Sequence, residues 1–465
     1  MRKGLLKVMI ANLIGLVISV VTNFLIPKYV SVDSYSLIKT YALYLTYAGF
    51  FSIGYNDGMY LKYGGKNLDQ INKKELADNF FNYSILIILM QLFVLAVGFF
   101  LNDNIVIAFS FGIISYNILG YLKSLYQATG EFGAYSRALN IEKVSVFIFN
   151  LILIYIIKSD NYLWYIWIQV VIGLVVTVIL LLKLETKVRF LKLGSLNMNE
   201  YKENISSGII LMLGNFSSSI FTGLDRWFVK ILLLSFDFAM YSFAVSMENI
   251  INVFVSPITV SMYNYFCKKP SLNEIKSVKK LSLIWGFVVI SAAFPAKWIL
   301  VHYLNTYLAA NDVIFLLFGA QVFYIVVKSI YVNLYKAEKQ QNIYLQQMVV
   351  MIVLGAVLNA LFFAVYNSTI SIAFATFCTS IIWMLICEYK DKELRFSNKE
   401  YLSLFIIMGI YCFCGYKLSP ILGLCVYVAV TVIVCYFFMK ETVLFVVENI
   451  MYYLNKVKKH LSRIR

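Results

Sequence analysis

The chain is a succession of long apolar runs divided by short polar segments. A helix needs about 20 apolar residues to cross the hydrocarbon core of a bilayer. Runs of that length centre on 8–30, 37–60, 80–101, 105–127, 138–157, 162–183, 205–233, 239–263, 281–301, 312–335, 345–365, 369–388, 401–418 and 420–439. The pattern predicts an all-α, polytopic membrane protein with about 14 transmembrane helices. Arg2, Lys3 and Lys7 precede the first run, a layout shared with signal peptides. The run is long and no small-residue cleavage site follows it, so it reads as a retained first span. After the last run, Val447, Ile450, Met451, Leu454, Val457, Leu461 and Ile464 recur at helical spacing among Lys456, Lys458, Lys459, Arg463 and Arg465. Residues 441–465 are therefore expected to form a basic amphipathic helix on the inner leaflet, the alternative being a poorly ordered tail.

Polar residues interrupt some of these runs in a pattern. Asn215, Ser218, Ser219, Thr222, Arg226 and Lys230 step by three or four, so they share one face of the seventh span. Asn12, Ser19, Thr22 and Asn23 do the same in the first span, and Glu248, Asn252, Ser256 and Thr259 in the eighth. Such a face is unfavourable against lipid and normally points into a bundle or a water-filled cavity. Pro257 and Pro295 interrupt the eighth and ninth spans, as helices lining cavities tolerate.

The chain also matches itself. Asn12, Gly15, Ser19 and Asn23 fall at the same steps as Asn215, Ser218, Thr222 and Arg226. "KSLY" at 123–126 recurs as "KSIY" at 328–331, while Tyr126, Ala128, Tyr135 and Asn150 recur as Tyr335, Ala337, Tyr344 and Asn359. The two registers differ by about one helical turn. Together the matches predict a duplicated six-span unit whose copies share one orientation. The expected organisation is an N-lobe over 1–200, a pseudo-symmetric C-lobe over 201–395, two extra C-terminal helices over 396–440 and the tail.

Charge tests the topology. Of the residues, 61% are hydrophobic and 14% charged, against about 45–50% and about 25% in soluble domains. With the N-terminus inside, the cytoplasmic segments carry Lys62, Lys66, Lys73 and Lys74; Arg137; Lys183, Lys187, Arg189, Lys192 and Lys202; Lys268, Lys269, Lys276, Lys279 and Lys280; Lys336 and Lys339; and Lys390, Lys392, Arg395 and Lys399. The opposite turns, at 102–104, 158–161, 235–238, 305–311 and 366–369, are short and almost free of Lys and Arg. This is the positive-inside pattern, and an even number of spans places the C-terminus inside too. The net charge of +16 is therefore loop bias, and no basic soluble domain exists to bind nucleic acid.

Candidate chemistry is sparse. The seven cysteines form no CxxC pair and there are only two histidines, His302 and His460, which argues against metal and His-based catalytic chemistry. No Walker A loop or GxGxxG follows a strand. No enzyme activity and no cofactor are expected. What stands out is "GLDRWFVK", with Asp225, Arg226 and Lys230 in the outer half of a span. Either Arg226 pairs with Asp225 or Glu248 and locks spans seven and eight, or Arg226 and Lys230 leave positive potential for an anionic substrate. Arg suits phosphate because its planar fork donates two parallel hydrogen bonds. Lys28, Lys39, Lys123 and Lys328 lie near span ends; each either snorkels to headgroups or, if it faces a cavity, adds a basic site along a path.

Three stretches carry a family likeness: "SIGYNDGMYLKYGG" at 52–65, "YQATGEFGAYS" at 126–136 and "LDRWFVKILL" at 224–233. Through them the chain resembles the polysaccharide-transporter branch of the multidrug/oligosaccharidyl-lipid/polysaccharide (MOP) exporter superfamily, the Wzx-type flippases of O-antigen and capsule repeat units. The resemblance implies two six-helix lobes working by alternating access in the bacterial cytoplasmic membrane. It implies an undecaprenyl-pyrophosphate-linked glycan as substrate, with membrane lipids and other polysaccharide-assembly proteins as partners. Asp225 and Arg226 match the family's motif; Asn23, Lys123, Asn215, Thr222, Lys230, Glu248 and Lys328 are candidates by position alone. A drug/cation antiporter of the same superfamily, or a polytopic glycan polymerase or acyltransferase, are the alternatives.

Overall fold

The computed structural model describes residues 2–445 together with Glu448 and Met451. The stretch 452–465, expected to continue the basic tail helix, lies outside the described residues. Among the described residues there are helices and no strand. In order they are α1 (Arg2–Tyr29), α2 (Val32–Leu45), α3 (Tyr55–Tyr63), α4 (Lys73–Leu101), α5 (Asn104–Ala128), α6 (Phe132–Leu151), α7 (Tyr162–Val188), α8 (Met198–Leu232), α9 (Ser235–Phe266), α10 (Leu272–Ile290), α11 (Ala293–His302), α12 (Asn311–Val326), α13 (Val332–Ala337), α14 (Gln341–Val365), α15 (Thr369–Lys390), α16 (Asn398–Lys417) and α17 (Pro420–Phe438). Among the described residues, 11 helical segments are long and apolar enough to cross a membrane.

Every expected span is helical, but two are broken for visible reasons. The second, 37–60, divides into α2, a 3₁₀ turn over Ala48–Ser52, and α3. Ile53 (φ 48°) and Gly54 (φ 79°) both adopt left-handed backbone there, which ends one helix and re-aims the next. The ninth divides into α10 and α11 at Ser291 and Ala292. Pro295 lies four residues beyond Ser291, where its ring would collide with that residue's carbonyl in a continuous helix.

The chain forms two compact units, Met1–Ser242 and Phe243–Arg465, so α8 lies with the N-terminal one. Within the first unit α1 packs on α6, α4 on α5, α5 on α7, and α8 on α3. Lipid gives helices no hydrophobic reason to associate, so polar bonds and close small-residue packing must hold the bundle. Both are present. Tyr55 and Tyr121 donate to the carbonyl and side-chain oxygen of Asn79 at 3.0 and 2.8 Å, joining α3, α4 and α5. Glu200 of α8 receives Lys62 of α3 at 2.8 Å and Asn79 at 2.8 Å. Lys62 also reaches Glu75 at 3.2 Å and Glu203 at 3.1 Å. Burial opposes its charge, but the hydrogen bonds to Glu200 and Glu203 outweigh that and hold it above its ordinary pKa.

The second unit repeats the scheme with α10 on α12, α12 on α15 and α14 on α15. Its rings Phe294, Phe315, Tyr411 and Tyr427 cluster at centroid distances of 5.2–6.0 Å, which anchors α16 and α17 to α11 and α12. Lys297 donates to the Gly415 and Leu418 carbonyls at 2.6 and 3.0 Å, satisfying the end of α16.

The helix caps settle the register of the repeat. Glu131 N donates to Tyr126 O and Gln340 N to Tyr335 O, both at 2.8 Å. Gly130 (φ 74°) and Lys339 (φ 60°) are the left-handed residues of the two caps. Asn150 and Asn359, in step with them, are 3% and 2% exposed. The Tyr126/Tyr335 alignment is thus the structural one. In it Lys123 falls opposite Val332 and Lys328 opposite Leu119, so the "KSLY"/"KSIY" match is one turn out of register and the two lysines are not equivalent.

Candidate functional site

Helix α8 begins with Asn197, whose side chain accepts from the Asn199 and Glu200 amides. It then runs 35 residues, far more than a span needs. Its polar residues divide by partner. Ser217 and Thr222 donate to carbonyls of their own helix, Leu213 O at 2.8 Å and Ser218 O at 3.0 Å. This is how hydroxyls survive without water, and it needs no cavity. Asn215 is exposed and approaches Asp57 at 3.5 Å. It lies three turns, about 16 Å, from Arg226.

The charged residues converge where α2 meets α8. Asp225, 7% exposed, accepts from the Arg226 backbone amide at 2.7 Å and from the Tyr241 hydroxyl at 2.8 Å. The tie between α8 and α9 is therefore made by Asp225 through Tyr241. Lys230 donates to Thr40 Oγ1 at 2.9 Å and lies over the rings of Tyr44 and Phe238 at 6.0 and 5.2 Å. Trp227 donates to Tyr47 at 3.0 Å and stacks on Tyr44, fixing the α2 end against α8. Gly223 faces the Tyr47 hydroxyl so closely that a Cβ would sit 2.3 Å from it.

Arg226 itself has no hydrogen bond from its guanidinium and no carboxylate within salt-bridge distance among the described residues. Its Nε is buried and unbonded. Lys39 of α2, over the Tyr35 ring at 5.2 Å, lies near enough to feel the charge of Arg226. Three cations thus gather at one end of the first unit, where Asp225 has both oxygens engaged and Asp103, at the start of α5, lies near enough to act on Lys230. A buried Nε–H without an acceptor costs free energy, and an anionic group at the guanidinium would complete it. Sequence reasoning placed Lys39 at a span end without joining it to this group. The missing signal was the rotation of α2, which is set by its packing on α5 and α7 and by the Thr40–Lys230 hydrogen bond to α8.

The other candidates lie elsewhere. Asn23 is half-buried on α1. Lys123 forms an ion pair with Glu142 of α6. In the second unit Glu248 accepts from the buried Gln321, and Lys328 lies over the Tyr324 ring at 5.2 Å within reach of the Glu248 charge. Lys328 sits in a π-helical turn, Val327–Tyr331, a feature frequent at functional sites.

No protein-family model matches the chain, and no curated protein sequence does. Solved structures do. A lipid II flippase MurJ in an inward closed conformation matches with a TM-score of 0.71 at 13% identity, over 95% of this chain and 100% of that one. An inward-facing multidrug resistance MATE family transporter of the MOP superfamily matches with a TM-score of 0.60 at 12% identity, over 83% of this chain and 95% of that one. The chain is a multi-pass membrane protein that shares its fold with these two structures, a lipid II flippase MurJ and a MATE family transporter.

Proposed function

We propose that this chain is a flippase that moves an undecaprenyl-pyrophosphate-linked oligosaccharide repeat unit from the inner to the outer leaflet of the bacterial cytoplasmic membrane, by alternating access, for O-antigen or capsule assembly. The reading rests on the unpartnered Arg226 guanidinium beside Lys39 and Lys230. In this reading the pyrophosphate supplies the acceptors that Arg226 lacks, Lys39 and Lys230 add positive potential, and the prenyl tail stays in lipid. The N- and C-termini are cytoplasmic. An inside-negative potential favours outward movement of negative charge by about 2.3 kcal/mol per charge per 100 mV. A drug/cation antiporter working at this site would call for a carboxylate free to meet a cation, and Asp225, next to Arg226, already spends both oxygens.

The test is export of surface polysaccharide in the native host. Arg226→Ala is expected to reduce it about 10-fold or more, matching the loss of a charge-assisted hydrogen bond worth about 1.5–3 kcal/mol. Arg226→Lys, which keeps the charge and loses the fork, is expected to fall between. Wild-type export by both variants at equal membrane abundance would rule out Arg226 as a substrate ligand.

A further inference from the structure

A second basic site lies at the far end of the same unit. Asp103 caps the start of α5 and acts electrostatically on Lys230. Tyr126 stands near the other end of that 25-residue helix, about 35 Å away. There, between the end of α5, the first turns of α6 and the last turns of α7, is a cavity of about 140 Å³ whose lining includes Arg137, Lys183, Lys187 and Glu131. Glu131 forms an ion pair with Lys187. Arg137 and Lys183 are exposed and meet no carboxylate among the described residues. The walls are apolar, with Leu184 buried and Ile141 half-buried. Ile141 and Ile148 stand two turns apart on one face of α6, and Ile148 is exposed.

A pocket with net positive charge, set a full span length from the opposite end and opening onto an apolar helix face, has the two halves of a lipid site. We infer that it holds the phosphodiester headgroup of an anionic phospholipid, with acyl chains running along α6 past Ile141 and Ile148. The lysine and arginine of adjacent helices replace the headgroup's counterions. The apolar face distinguishes a lipid from a small anion, because only a lipid gains by covering it. The site is remote from Arg226, so it stands whatever the transported substrate is.

The test titrates the purified full chain in detergent with phosphatidylglycerol, phosphatidylcholine or inorganic phosphate, reading bound lipid by native mass spectrometry and the unfolding temperature. Phosphatidylglycerol is expected to bind and stabilise, and phosphatidylcholine and phosphate to do neither. Arg137→Ala with Lys183→Ala is expected to weaken phosphatidylglycerol binding about 25-fold, roughly fivefold per cation. Glu131→Gln, which releases Lys187 from its ion pair, is expected to strengthen binding several-fold, and this gain cannot be mistaken for misfolding. Equal binding of phosphatidylcholine, competition by millimolar phosphate at full strength, an unaffected double variant, or weaker binding by Glu131→Gln each overturns the assignment.

Discussion

Gly58→Val is expected to push α3 and α8 apart and to destabilise the first unit more than an ordinary core overpacking. A Cβ at Gly58 would lie 2.0 Å from the carbonyl oxygen of Asn204, and one at Gly208 would lie 2.0 Å from that of Gly54. Both clashing atoms are backbone, so no rotamer relieves them. Overpacking that side chains can absorb costs about 1–3 kcal/mol; here a whole helix must move, by roughly 1–2 Å to restore van der Waals contact. That movement would also strain the ion pairs of Lys62 with Glu200 and Glu203. Spin labels at positions 66 and 203 should report the widening, alongside a lower unfolding temperature. Gly120→Ala is the control: nothing lies within 4 Å of its Cβ, and alanine favours the helix by up to about 1 kcal/mol. Unchanged label distances in Gly58→Val would show that α3 and α8 are not held backbone to backbone.

Much of this fold was legible because hydropathy dictates it. Each apolar run had to become a helix, since lipid leaves no other way to satisfy a backbone. The repeat was legible in its polar residues but ambiguous in register. The left-handed caps at Gly130 and Lys339 resolve it, because a cap fixes where a helix ends and composition does not. The break at Ile53 and Gly54 was not legible, since an apolar run reads the same whether straight or kinked. Nor was the partner of α8. Gly54, Gly58 and Gly208 were visible as small residues, but which helix each meets is a tertiary fact.

The charged positions were legible as exceptions and not as pairs. Asp225 and Arg226 are neighbours in sequence, yet the Asp225 side chain meets the Arg226 amide and Tyr241, leaving the guanidinium unengaged. Adjacent residues on a helix point about 100° apart, so adjacency in sequence is a poor guide to ion pairing. Lys279 shows the opposite error. It sits in the run Lys276, Lys279, Lys280 and reads as a solvated loop lysine of the positive-inside pattern, whereas the structure buries it.

That burial sets the largest stability effect expected in the second unit. Lys279 of α10 and Glu388 of α15 form an ion pair with side chains 1% and 2% exposed. Lys279 also donates to Tyr331 Oη at 2.8 Å and Leu394 O at 2.7 Å and lies 3.6 Å from the centre of the Phe396 ring. Glu388 further accepts from the Phe396 amide at 3.2 Å and from Tyr401. Glu388→Ala leaves a buried ammonium without its counter-charge and two donors without an acceptor. The expected cost is about 3–5 kcal/mol. Lys187→Ala removes an ion pair whose side chains are 46% and 37% exposed, and solvent screening holds its expected cost to about 0–1 kcal/mol. Desolvation offsets much of what a buried pair gains, so Lys279→Met combined with Glu388→Leu is expected to be more stable than Glu388→Ala alone, and the pair's coupling to reach about 2 kcal/mol. Denaturant unfolding of the single and double variants in detergent measures this. Additivity within about 0.5 kcal/mol would mean that the two charges do not depend on each other, and the ion pair would then hold neither α15 nor the 391–397 turn in place.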